Sequence, residues 1–195
     1  MVELGTFLVR QYRFNSGFHR RLLDDVLSDL GPDELNWQPG PGHHSIWHNV
    51  WHMFLSNDYY FADAFETPPV WESERWAARL DLHPMARAFE IQGNAAGGPV
   101  PKFVIADVPD SLVDDLKAIS LSGYLEYVDS MLESTARTLS ELDEERLKRP
   151  MERYGLISGP AHIHGTGFSH VARHIGMIET LKGLLRGPGG GTASI

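Results

Sequence analysis

The chain has 195 residues, with 17 Lys plus Arg against 26 Asp plus Glu and no cysteine. A formal charge of -9 disfavours a nucleic-acid backbone as partner, and the missing cysteine excludes disulfides, thiolate metal ligands and an enzyme-borne thiol nucleophile. With neither a leader pattern nor an apolar run of about 18 residues, a single cytoplasmic domain over residues 1–186 with no membrane partner is expected.

In chain order, the first predicted helix runs over residues 2–30. Phe14, Phe18, Leu22 and Val26 repeat every four residues, and Leu23, Leu27 and Leu30 widen the stripe. Gly31-Pro32 ends it, and Gly5 and Gly17 leave open whether its first dozen residues are a separate turn. Residues 36–44 hold Pro39, Gly40, Pro41 and Gly42 and cannot be helical. Ser45 then suits an N-cap, and a second helix is expected to about Phe65, before Pro68-Pro69. It carries His48 and His52 four residues apart, with Leu55, Tyr59 and Ala62 continuing their face. Trp47, Trp51, Phe54, Phe61 and Phe65 make a second apolar surface, as in a helix wrapped by others.

Residues 70–109 form a long irregular segment between helices 2 and 3. A short helix is expected from Trp71 to Leu80 and a loop over residues 94–101; a functional flap, an interface element and disorder all remain open for the whole. A third long helix follows an Asp110 cap and ends near Glu141, where the acidic run 141–145 reads as a solvated end. Residues 150–167 connect to the last helix, 168–185. A helix turns about 100° per residue, so His170 and His174 lie about 40° apart, in one sector with Ile178, Leu181 and Leu185. Arg173, Gly176, Glu179 and Gly183 occupy the other side. The tail 187–195 reads as disordered.

Two histidines one turn apart on an apolar face are either core residues bonded to carbonyls or a pair of metal ligands. Each buried imidazole needs its own partner, and a shared cation would satisfy both. This helix alone leaves both readings open. Four amphipathic helices indicate a bundle, in which metal sites are built from inward-facing side chains of neighbouring helices, and the second helix offers an inward histidine of its own.

Trp37-Gln-Pro-Gly-Pro-Gly, then Ser45-Ile with Trp51-His52 and Asp58-Tyr59, and finally His170-x3-His174-x-Gly176-x2-Glu179-x2-Lys182-Gly183-Leu184 resemble the DinB-like metal-binding four-helix-bundle superfamily, over residues 14–185. The resemblance implies an all-α, up-down-down-up four-helix bundle, commonly a homodimer, with one divalent cation held by three histidines. Carried over residue by residue, these are His52, His170 and His174. His48 stands one turn before the family position, where the pattern has an apolar or other residue; an exchange with His52 and a supporting role are both open. Residues 70–109 also depart from the pattern. Relatives include bacillithiol transferases and mycothiol-dependent maleylpyruvate isomerases, and many have no assigned activity, so the likeness argues a site rather than a reaction.

Three neutral imidazoles leave a cation its full charge and an open position, as in catalytic rather than structural zinc sites. Such a cation lowers the pKa of a bound water or thiol, so the site makes a nucleophile without a protein cysteine. Zn, Ni, Fe and Mn all suit the ligand set. Asp58, Glu179, Tyr59 and Tyr124 are candidates for orienting the rings or moving protons. Asp58 and Glu179 lie about 240° and 140° round their helices from the nearest predicted ligand, which opposes direct ligation and favours helix–helix hydrogen bonds. His162 and His164 precede the last helix and either reach the open position or stay solvated; His43 and His44 precede the second helix and are expected in solvent, as are His19 and His83.

The expected function is therefore a metal-dependent transferase or isomerase acting on a small molecule, a low-molecular-weight thiol among the candidates, through a metal-activated thiol or water. The alternative is a non-catalytic, metal-stabilised bundle serving as a stress-associated binding module. A DNA-binding role in damage response is suggested by the family name alone and opposed by the charge. No phosphate loop, dinucleotide fingerprint or paired-carboxylate site is present.

Overall fold

Every regular element among the described residues is helical. The structure is a computed structural model and describes residues 4–82, 119–149 and 163–187, without the side chains of Asp63 and of residues 163–166. Helix α1 spans Leu4–Leu27, α2 Pro32–Asn36, α3 Ile46–Phe65, α4 Val70–Ser73 and α5 Trp76–Arg79. After residues 83–118, α6 spans Leu121–Glu141 and α7 Glu144–Lys148; a π-helical stretch, Ile163–His170, then runs directly into α8, Val171–Arg186.

Side-chain contacts between the four long helices set their directions. Arg13 bonds Glu133 and Arg20 bonds Asp129, so numbers fall along α6 as they rise along α1, and the two are antiparallel. Tyr12 packs on Phe168 while Val26 accepts from Lys182; α1 and α8 are parallel. Asn49 meets His174 and Asn57 meets His170, so α3 opposes α8. Trp51 accepts from Tyr124 and Asp58 from Tyr127, so α3 and α6 run together. The bundle is up-down-down-up, and two successive parallel helices require a crossover the length of the bundle.

That crossover begins under control of Asp58. Its two carboxylate oxygens accept the backbone N–H groups of Val70 and Trp71, each at 2.8 Å, and one also accepts the Tyr127 hydroxyl at 2.9 Å. Two orphan donors at the start of α4 are thereby capped from another helix. Trp71 and Trp76 pack edge-on against Tyr127, within a core that includes Trp51, Phe54, Tyr124, Met131 and Ile178. A smaller cluster of Tyr12, Phe61, Phe65, Leu139 and Leu147 fills the other end.

Several expectations need correction. Phe14 and Phe18 are 68 % and 39 % exposed, whereas Tyr12, His19, Leu23 and Val26 are buried. A repeat of four residues advances about 40° per step, so the line from Phe14 to Val26 winds from solvent into the core. His19, expected at the surface, lies on the buried face, and burial lowers its pKa. The expected short helix is two separate turns, because Arg75 between them has φ 58°. Within the described residues α6 begins only at Leu121, since Ser120 is extended and its hydroxyl accepts the Gly123 N–H. The acidic run is not a helix end alone: Leu142 is extended, Asp143 caps α7 through the Arg146 N–H, and Leu147 is buried. Residues 83–118, with His83, the 94–101 loop and the Asp110 cap, lie outside the described residues, as do 150–162 with His162 and the tail from 188 onward.

Candidate metal centre

The Ser45 hydroxyl accepts the His48 N–H at 3.0 Å and starts α3. From that start, His52 is carried to the middle of the face that α3 turns toward α8. His170 ends the π-helical stretch and His174 follows one turn later, so an antiparallel pair of helices brings all three rings together. Ring centroids are 5.3 Å apart for His52 and His170, 4.9 Å for His52 and His174, and 4.5 Å for His170 and His174. One ring nitrogen from each lies within 4.8 Å of the others.

The remaining nitrogens are anchored. His170 Nδ1 lies 3.1 Å from Asn57 Oδ1, His174 Nδ1 3.0 Å from Asn49 Oδ1, and His52 Nδ1 3.1 Å from Ser56 Oγ. The Asn49 amide is itself oriented, because its Nδ2 donates to the Ser45 carbonyl at 2.9 Å. An Nδ1–H donated to an amide oxygen leaves Nε2 with a bare lone pair. His170 Nε2 and His174 Nε2 then face each other at 3.0 Å, a repulsive arrangement unless a positive charge lies between them. A tetrahedral shell with bonds of about 2.0–2.1 Å separates ligand nitrogens by about 3.3 Å, so the residues present fit a divalent cation. Burial lowers the pKa of His52 to about 2 and of His174 to about 4, with the neighbouring imidazoles adding to the effect, and it lowers His170 too. All three rings are neutral at pH 7, the form a cation requires.

Sequence reasoning missed the anchors. Asn49, Ser56 and Asn57 are 1 %, 1 % and 3 % exposed, and their signal was a set of small polar side chains among the aromatics of a wrapped helix. The other candidates lie elsewhere. Tyr59 donates to Glu72 at 2.8 Å and Tyr124 to the Trp51 carbonyl at 2.7 Å. Asp58 makes the helix–helix bonds described above; burial pushes its pKa up to about 6 against the lowering effect of those bonds. Glu179 is partly buried and outside the histidine cluster. His43 is exposed, with Nδ1 3.3 Å from the carbonyls of Gly40 and Pro41. His48 lies 6.5 Å from His52, beyond the spacings within the triad. The side chain of His164 is outside the described residues.

The sequence model of the DinB superfamily matches residues 17–178. The chain belongs to the DinB superfamily. Among solved structures, this DinB-superfamily chain is similar to one titled a conserved protein of locus from Enterococcus faecalis, at 13 % identity and a TM-score of 0.65, covering 96 % of this chain and 100 % of that one. That likeness is one of fold. No curated protein matches the chain. No helix among the described residues of this DinB-superfamily protein is long and apolar enough to cross a membrane.

Proposed function

We propose that the protein holds one divalent cation on His52, His170 and His174 and acts on a small molecule as a transferase or isomerase. The observation that carries this reading is the pair of Nε2 atoms facing each other at 3.0 Å while their Nδ1 atoms are bonded to Asn57 and Asn49. Zn, Ni, Fe and Mn all suit three neutral nitrogens. When bound, such a cation supplies the acidity that turns a thiol or water into a nucleophile near neutral pH. The chain's own part is to orient. Asn49 and Asn57 fix which nitrogen of each ring is free, Ser45 holds Asn49, and the buried surroundings keep the rings unprotonated. The chain has no cysteine, so a reacting thiol comes with the substrate.

We further propose that the working form is a homodimer. Phe7, Phe14 and Phe18 recur at helical spacing on α1 and are 51 %, 68 % and 39 % exposed; Met177 and Leu184, seven apart on α8, are 37 % and 62 % exposed. Since α1 and α8 are neighbours, a second copy covering them would bury an apolar surface that a monomer leaves in water.

The catalytic reading is tested by loading the protein with cobalt(II) and adding low-molecular-weight thiols one at a time. A new sulfur-to-cobalt charge-transfer band with one of them supports it. An unchanged spectrum across the series, with cobalt bound, favours a cation that only stabilises the bundle.

A further inference from the structure

Outside the three histidines the start of α3 carries a second pair of imidazoles. His44, just before the Ser45 cap, is exposed, and its ring stacks on that of His48 with centroids 4.0 Å apart and planes 13° from parallel. His48 is half-buried, lies edge-on to Trp51 at 6.0 Å, and faces His52 at 6.5 Å with planes 25° apart. The three rings therefore form a file from solvent to the triad.

Rings that share a cation at bonds of about 2.0–2.1 Å have centroids about 5 Å apart, as the triad has at 4.5–5.3 Å. At 6.5 Å from His52, His48 stands one step outside that shell. Its Nε2 is buried and has no hydrogen-bond partner among the described residues. Stacking aligns ring edges rather than closing them on one point, so His44 and His48 offer one nitrogen each in succession. A hydrated cation sheds water stepwise, and successive imidazoles let each lost water be replaced by a nitrogen.

We propose that His44 and His48 are an outer, transient binding pair through which a divalent metal ion reaches His52, His170 and His174. The inference rests on the triad being a metal site. His44 captures the cation at the surface, the unpartnered nitrogen of His48 receives it, and His52 is the first permanent ligand.

The test follows cobalt(II) uptake by the metal-free, full-length protein in a stopped-flow spectrometer, and its release to excess EDTA. The variants are His44→Ala, at an exposed position that does not threaten folding, and His48→Leu. Uptake is expected to slow about tenfold, the low end of what raised local concentration does for an association rate. Release slows by the same factor, because a route serves both directions, and stoichiometry and Kd stay at wild-type values. Wild-type rates in both variants would overturn the route. Loss of bound cobalt or a weakened Kd in His48→Leu would overturn it differently, by making His48 a ligand. Should the wild-type protein itself take up no cobalt, the triad reading fails and the route fails with it.

Discussion

Asn49 shows how much of a metal site lies in the groups behind its ligands. Its Oδ1 holds His174 Nδ1 at 3.0 Å and its own Nδ2 is held by Ser45 at 2.9 Å, so tautomer and ring plane are both set before any cation arrives. Replacing Asn49 with Leu keeps the bulk and removes the acceptor. Metal affinity is then expected to fall about 10–100-fold, measured by competition with a chromogenic chelator, while His174 remains a ligand; unchanged affinity would show that the amide does nothing for the ring. The histidines were legible because spacing reveals which residues share a helical face. Asn49, Ser56 and Asn57 were not, since a polar residue on a helix reads as solvent-facing until the neighbour that covers it is known. His19 was misread for the same reason.

Gly167 decides how closely the π-helical stretch approaches α3. A Cβ there would sit 2.7 Å from Phe61 Cζ, and Phe61 is held between Tyr12, edge-on at 5.7 Å, and Phe65, stacked at 6.1 Å. Gly167→Ala is expected to cost about 1–3 kcal/mol by overpacking, which outweighs the roughly 0.5–1 kcal/mol that losing a glycine returns inside a helix. Urea unfolding measures the balance, and a stabilised variant would show that Phe61 yields freely. At the other end of the bundle, the side chain of Lys182, 6 % exposed, donates to the Val26 carbonyl at 2.8 Å and to Asp29 at 2.6 Å, and Arg186 also bonds Asp29. These cations hold the Asp29 carboxyl at about 2, below its ordinary 3.8. The folded value is the lower one, so the stability it contributes is complete above pH 3.8 and is lost as pH falls through about 2. Asp29→Asn should lower the thermal midpoint at pH 7 and flatten the dependence between pH 4 and 2; an equally steep fall in the variant would assign it to other carboxylates. The sequence marked Lys182 as a position of the family pattern but not this tie, because its partner Asp29 lies 153 residues earlier in the chain.

At the scale of the molecule, four helices and a bundle followed from periodicity, and their number was legible before any coordinates. Their directions did not follow from periodicity but were implied by the family resemblance, and in the structure they are set by pairs such as Arg13 with Glu133 and Tyr124 with Trp51, which join residues more than 70 positions apart. Periodicity also misplaced part of α1's apolar face: Phe14 and Phe18, which it assigned to the core, are exposed. Phe14→Glu is expected to convert a dimer into a monomer in light scattering behind size exclusion, with α-helical content unchanged; a wild-type protein that runs as a monomer at high concentration would remove the dimer altogether.

Convergence of His52, His170 and His174 on one cation is tested most directly by metal content. After loading and exhaustive dialysis, elemental analysis of the wild-type chain should find one equivalent of a divalent transition metal, and the His52→Ala, His170→Ala and His174→Ala variants should each have lost it. A full equivalent retained by all three variants would contradict a shared site.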